Sequence, residues 1–168
     1  FKDLYAGKLV AALDRQHPRD LFDVRDLLAN EGLTDDLREA FLTYLLSHNR
    51  PMFEVLSGRI KDLASEYRSG FEGMTSEPVA IEELVETQSE MIQSLIGAMP
   101  REHREFLVGF EKGTPNWDLL QFPAVKELPA VRWRQRNLDK LDGTRRNELV
   151  TSLERVLMIS SKGTAGDS

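Results

Sequence analysis

A chain of 168 residues with 40% hydrophobic content can bury one substantial core, and we predict a single helical domain over residues 1–159. The formal net charge of −6 excludes a wholly basic nucleic-acid-binding domain but leaves room for a local basic patch. The absence of cysteine excludes disulfides and thiolate metal sites, and no apolar run is long enough to cross a bilayer, so we expect a soluble cytoplasmic protein without a membrane partner.

The first predicted helix is apolar on nearly every side. The apolar residues of Leu4–Leu13 surround a single cation, Lys8, and a helix of that composition is normally buried. A lysine in a buried helix must extend its ammonium to water or find an anion, because an unpaired buried charge is unfavourable. We therefore look for carboxylates nearby in the chain.

Two carboxylates follow directly. After a break at Gln16–Pro18, a second predicted helix opens and runs to about Asn30, with Asp20 and Asp23 sharing one face at i and i+3. The short connection makes the two helices neighbours, so we expect the charged groups to converge: Lys8, Arg15, Arg19, Asp20 and Asp23. Such a cluster suits a phosphate-handling site. The alternative is a set of structural ion pairs, since aspartates are favoured in the first turn of any helix.

The remainder of the chain predicts further helices and no strand. We predict an all-α fold, a helical bundle of about seven or eight helices. Within it, we expect Thr34 and Thr144 each to cap a helix, Gly58 to kink one helix, and Val85 to be buried. The predicted helices after Asn30 are Asp35–His48, Met52–Phe71, Val79–Met99, Arg101–Phe110, Pro129–Leu141 and Arg145 to about Ile159, with an irregular segment at Lys112–Pro123 and a flexible tail at residues 160–168.

Residues 126–146 change the charge balance, because cations outnumber anions there. Arg132, Arg136 and Lys140 fall at i, i+4 and i+8, so they form a row along one helix face beside Trp133. This basic row could follow a phosphate backbone or be a solvated helix face whose arginines pair with acids. Trp117 lies in the irregular segment, and we expect it to pack on the core.

Several motifs, taken in order, resemble one protein family. Besides the Lys8 helix and its Arg-Asp-x-x-Asp partner, they are Leu46–Met52 (LSHNRPM), Gly113–Asp118 (GTPNWD) and Leu128–Trp133 (LPAVRW). Their succession resembles the AbiEii/AbiGii family of nucleotidyltransferase toxins, from type IV toxin-antitoxin systems associated with phage resistance. The resemblance extends to about residue 157.

The chain departs from the family pattern in one respect. These toxins resemble polymerase β-type transferases, whose Gly-Ser and Asp-x-Asp motifs hold magnesium and the triphosphate. Neither motif occurs in this sequence. The resemblance therefore implies the C-terminal half of such an enzyme, with the sheet domain and most of the Mg²⁺ ligands upstream of Phe1. We expect this portion alone to be inactive.

The resemblance also implies roles for the cluster. Lys8 contacts the triphosphate of the nucleotide substrate, and Asp20 or Asp23 orients Lys8 or helps to activate the acceptor hydroxyl. Arg15 and Arg19 hold phosphates or fix the carboxylates. The basic row receives an RNA acceptor, which we expect to be transfer RNA. A cognate antitoxin is a possible protein partner. Two alternatives stay open: a non-catalytic helical module that binds RNA or a regulatory protein, and a purely structural domain.

Overall fold

Helices supply the regular structure of the chain. The computed structural model describes residues 2–162, with the side chains of residues 3–157, and no strand occurs within that range. The predicted all-α fold class is therefore confirmed. The α-helices of the described range are α1 (Lys2–Arg15), α2 (Pro18–Asn30), α3 (Asp35–Leu46), α4 (Met52–Val55), α5 (Ala64–Gly70), α6 (Ile81–Ile92), α7 (Arg101–Lys112), α8 (Pro129–Asp139) and α9 (Gly143–Lys162).

The chain divides into two compact units, which are described separately below. The first unit combines the residues up to Phe41 with Gly58–Leu95, and the second combines Leu42–Ser57 with the residues from Ile96 onward. The single domain expected over residues 1–159 stays a prediction. Within the described range, no helix has the length and apolar composition that crossing a bilayer requires.

The core of the first unit lies where α1, α2 and α6 pack on one another. Ala6 and Leu9 of α1 are fully buried there, together with Leu21 of α2 and Leu84 of α6. Burial of apolar surface contributes roughly 25 cal/mol per Å² to folding, so these faces hold the three helices together. Leu4 was expected to be buried but is 62% exposed, because the first turn of α1 is not covered on that side.

Side-chain caps fix the starts of α2 and α3. The Nδ1 atom of His17 accepts a hydrogen bond of 3.2 Å from the Arg19 N–H, and Pro18 occupies the first turn of α2. Thr34 Oγ1 accepts a bond of 3.3 Å from the Leu37 N–H, which confirms the predicted cap of α3. These caps satisfy amide groups that have no partner inside the helix.

The continuous helix predicted over Met52–Phe71 is wrong. The chain forms the short α4, leaves helical geometry over residues 56–63, and resumes as α5. Gly58 has a φ of +66°, a left-handed conformation that ends helical geometry instead of only kinking the helix. Side chains from elsewhere in the first unit then bind the backbone of Arg59 and Lys61, so that backbone is not available to a helix.

The helix predicted over Val79–Met99 is also shorter than expected. The α-helical part is α6, and Gln93–Gly97 then forms a π-helical turn. Val85, which was expected inside, is 42% exposed. The amphipathic pattern of the segment is retained in α6 itself, where Leu84 and Met91 are fully buried.

The second unit contains α7, α8 and α9, and α7 packs along α9. Trp117 lies on Phe106 and Phe110, with ring centroids 5.2 Å and 6.2 Å away, so its predicted packing on the core is confirmed. Asp142, and not Thr144, caps α9: its Oδ1 accepts a bond of 2.8 Å from the Arg145 N–H. The helix continues to Lys162 instead of ending near Ile159, and residues 163–168 of the predicted tail lie outside the described residues.

Candidate active site

The hairpin of α1 and α2 carries the charged cluster predicted from the sequence. Lys8 lies in the middle of α1, while Asp20 and Asp23 lie in the first two turns of α2. Because α1 and α2 pack side by side, the ammonium and the carboxylates approach each other across the hairpin. The cluster belongs entirely to the first unit.

Two ion pairs organise this cluster. The Nζ atom of Lys8 lies 3.1 Å from Oδ2 of Asp23, and Nη2 of Arg15 lies 2.9 Å from Oδ1 of Asp20. Arg19 does not join them, because its side chain is exposed and pairs with no carboxylate of the described chain. The expected convergence therefore holds for four of the five residues.

The exposure of the cluster is intermediate. The side chains of Lys8 and Asp23 are 34% and 38% exposed, so both reach solvent while their helices are buried on the inner side. Such a pair is screened by water and contributes little to stability. Its charges are nevertheless accessible to a ligand from solution, as a phosphate-handling site requires.

One atom of the cluster has no partner. The Oδ2 atom of Asp20 is buried, and no donor of the described residues lies within hydrogen-bond distance of it. A buried acceptor without a donor is unfavourable by about 1–3 kcal/mol, so natural proteins rarely keep one without a compensating role. In this structure Oδ2 is enclosed by the protein, so a donor from solution reaches it only if neighbouring side chains move.

A buried amide network holds the junction between α1 and α2. Gln16 has a φ of +50°, and its side chain donates to the Arg59 carbonyl (2.6 Å) and accepts from the Lys61 N–H (3.0 Å) and from the amide of Gln88. The ammonium of Lys61 donates to the carbonyls of Asp14 and Arg15 at the end of α1. The network fixes the angle at which α2 leaves α1, and thereby the spacing of the ion pairs.

Sequence analysis did not find this network. Gln16 lies more than forty positions from its partners Arg59, Lys61 and Gln88, and an uncharged glutamine between two helices gives no pattern of its own. The only signal available was the proximity of Gln16 to the break at Pro18.

The basic row lies in the second unit, along α8. Arg132 and Arg136 are exposed on that helix, and Lys140 is exposed just after its last residue, Asp139. Arg132 forms an ion pair with Glu127, which both interpretations of the row allow. The row therefore exists as an exposed cationic surface.

Comparison with known proteins gives the family. A family model described as nucleotidyl transferase AbiEii toxin, type IV TA system, matches residues 1–134. The chain belongs to the AbiEii family. No curated protein and no solved structure matches the chain.

The extent of the match bears on the two candidate sites. The AbiEii match includes the whole α1–α2 cluster and Arg132, but it ends before Arg136 and Lys140. The resemblance was expected to extend further, to about residue 157. This AbiEii chain is thus of the nucleotidyltransferase toxin kind, whose members use a nucleotide and have an antitoxin as partner.

The described residues do not by themselves suit a Mg²⁺ ion. Within residues 2–162 no three histidine or carboxylate side chains lie close enough together to hold a metal. Asp20 and Asp23 are each paired with a cation through one oxygen, which reduces the negative charge that would attract Mg²⁺. The AbiEii cluster therefore combines cations and carboxylates without a group of three metal-ligating side chains among the described residues.

A second polar feature of the AbiEii chain lies in the second unit. Glu111 of α7 is 1% exposed, and its Oε2 has no hydrogen-bond partner among the described residues. Burial raises the pKa of this carboxyl, while the nearby charges of Arg134 and Arg146 oppose the rise. Burial lowers the pKa of the Arg134 guanidinium, and Glu111 opposes that change. Neither residue was singled out as a site residue from the sequence.

Proposed function

We propose that this protein contributes the helical part of an enzyme that transfers nucleotides from a nucleoside triphosphate to an RNA acceptor, with transfer RNA as the acceptor class. The observation that carries the proposal is the α1–α2 cluster, in which Lys8 and Asp23 lie 3.1 Å apart and reach solvent, in a chain of the AbiEii family. The proposal places the protein in the cytoplasm, where transfer RNA and nucleotides are available.

The reaction determines what these residues must do. The acceptor hydroxyl attacks the α-phosphorus of the triphosphate, a new phosphodiester bond forms, and pyrophosphate leaves with the negative charge that develops on it. Lys8 contacts the triphosphate and stabilises that charge, because a positioned cation acts most strongly where charge builds up. Arg15 and Arg19 hold phosphate oxygens at the edge of the cluster.

The two aspartates have distinct environments that suit different tasks. Asp23 pairs with the ammonium and orients Lys8. Asp20 pairs with Arg15 through Oδ1, and its buried Oδ2 has no partner. We assign to Asp20 the hydrogen bond from the acceptor hydroxyl, which requires Oδ2 to become exposed when the substrates bind. This assignment uses only the side chains of the α1–α2 hairpin.

The remaining requirements lie elsewhere in the protein. Polymerase β-type transfer needs Mg²⁺, and we assign most of its ligands to coding sequence upstream of Phe1. The row formed by Arg132, Arg136 and Lys140 receives the RNA through its phosphates, because exposed cations supply most of the affinity for nucleic acids. A cognate antitoxin is the expected regulatory partner.

The test is transfer of labelled nucleoside triphosphates to bulk transfer RNA in the presence of Mg²⁺. The chain is assayed alone and joined to the coding sequence that precedes it in its natural reading frame. We expect labelling only by the joined protein, with a loss in both Asp20→Asn and Asp23→Asn. Labelling by the chain alone would refute the assignment of the metal ligands, and no labelling by either protein would favour a non-catalytic module that binds RNA or a regulatory protein.

A further inference from the structure

The second unit contains a pocket of about 200 Å³ between α8, α9 and the segment that follows α3. Leu138 and Leu141 near the end of α8 and Leu149 of α9 supply apolar walls, and Trp133 lies at the pocket with 58% of its surface exposed. Pockets that hold drug-sized ligands measure about 300–1,000 Å³, so this one suits a single small ring system. Every lining residue belongs to the second unit.

Polar groups line the same pocket. Glu111 and Arg134 both contribute to its wall although they are only 1% and 9% exposed. Within the described residues, Oε2 of Glu111 and Nε of Arg134 have no hydrogen-bond partner. Another nitrogen of the guanidinium, Nη1, is occupied, because it donates to the backbone carbonyls of His48 and Arg50. Two residues of the pocket wall thus carry a buried acceptor and a buried donor without partners.

Helix α8 presents two rows that differ by one residue. Trp133 and Asn137 of α8 fall at i and i+4 and line the pocket, together with Leu141, which follows the end of the helix. Arg132 and Arg136 precede Trp133 and Asn137 by one position each, so these two cations lie about 100° away round the helix, and Lys140 follows its last residue. A ligand in the pocket therefore lies beside a row that attracts phosphates.

We propose that this pocket binds one unstacked nucleobase, with Trp133 against the face of the ring and Glu111 and Arg134 bonded to its polar edge. The identity of the ligand rests on the proposed function, since an RNA acceptor would supply both the base and the phosphates. A nucleobase is planar, has donors and acceptors along its edge, and stacks on aromatic side chains. A plain aliphatic group would leave the buried carboxylate and guanidinium without partners.

The test is a site-resolved NMR titration of the full 168-residue chain. The probes are the four nucleoside monophosphates, with ribose 5-phosphate as a probe that has the phosphate but no base. We expect the nucleotides, at millimolar concentration, to shift the indole N–H of Trp133 and the backbone amides of Asn137 and Leu141. The indole of Trp117, which packs on Phe106 and Phe110, is the internal control and stays in place.

Two substitutions of the exposed indole make the test specific. Base stacking on an aromatic residue is lost on replacement by alanine, so Trp133→Ala weakens nucleotide binding by about fivefold or more. Trp133→Phe keeps a ring and retains most of the affinity. Because Trp133 is largely exposed, neither change removes core packing, and an unchanged spectrum away from the pocket verifies the fold.

The outcomes separate this proposal from the transferase function. If no nucleotide shifts the pocket resonances, or if ribose 5-phosphate shifts them as strongly, the base pocket is refuted whatever the transfer assay shows. Nucleotide shifts at Lys8 and Asp23 alone would support the transfer site and also refute the pocket. Base-dependent shifts at Trp133 support the pocket even if no transfer is observed.

Discussion

Removing the charge of Lys8 distinguishes a catalytic cluster from a structural ion pair. Lys8→Met keeps most of the aliphatic chain and deletes the ammonium that lies 3.1 Å from Asp23. Both side chains are about one third exposed, so the pair is screened and contributes roughly 0–1 kcal/mol to the free energy of unfolding. For a chain of this size that corresponds to a change in Tm of at most about 4 °C. A fully buried pair would instead cost about 3–5 kcal/mol when broken.

The effect on transfer is expected to be much larger. Loss of one group that stabilises developing charge lowers kcat by about 10²–10³. The assay is labelled nucleotide transfer to transfer RNA by the protein joined to its upstream coding sequence, alongside thermal unfolding of the same samples. Arg25→Met is the matched control, because it breaks the Arg25–Glu83 ion pair of the same unit, with N and O atoms 3.2 Å apart, outside the cluster.

The two variants should therefore differ in activity and resemble each other in stability. If Lys8→Met lowers the Tm by 10 °C or more while Arg25→Met does not, the ion pair is structural. If Lys8→Met retains full transfer, or if both variants lose it equally, Lys8 has no catalytic role.

Four further changes test other parts of the structure. Gln16→Ala removes the side-chain partner of the Arg59 carbonyl and of the Lys61 N–H, so urea denaturation should show a loss of about 1–3 kcal/mol. Gly113→Ala places a residue with Cβ at φ +86° and within 2.5 Å of Arg146 Nη2, and should cost about 1–2 kcal/mol in the same measurement. Burial raises the pKa of Glu111 above its value in the unfolded chain, so the folded state holds that proton more tightly. The free energy of unfolding should therefore fall as the pH rises from about 4.5 through the raised pKa. In Glu111→Gln this dependence of stability on pH should be weaker, as measured by urea unfolding at several pH values. Arg136→Gln should weaken RNA binding by a similar factor for all sequences and reduce the salt slope by about one, as measured by titration at several salt concentrations.

Local interactions made the α1–α2 cluster predictable from the sequence. Lys8 and Asp23 belong to adjacent helices with a short connection, so their meeting requires only that both helices form and pack. The start of α3 at Asp35 was likewise visible, because the predicted capping residue Thr34 precedes it directly, and the break at Gln16–Pro18 indicated where α2 begins. Arg19 could not be excluded from the cluster, since its helical position allows either orientation until the packing is known.

Features set by distant contacts were not predictable. The segment after Gly58 has an amphipathic composition that favours a helix. The left-handed conformation of Gly58, together with the backbone bonds to Gln16 and Gln88, explains why residues 56–63 are not helical. Glu111 lies at the end of α7 next to Lys112, a position typical of exposed residues, yet it is buried in the second unit. Val85 has the spacing of a core residue but faces solvent, because the face of α6 that packs on the rest of the first unit is narrower than the apolar face of its sequence.

The position of the α1–α2 hairpin has a consequence for the order of events during synthesis. Its ion pairs join residues close in sequence, so they can form as soon as α2 has left the ribosome, and local contacts of this kind form fast. The apolar backing of the hairpin, however, comes from α6, which is made much later. The charged pairs are thus in place early, whereas the rigidity that a transfer reaction needs is reached only after Ile81–Ile92 has emerged and packed.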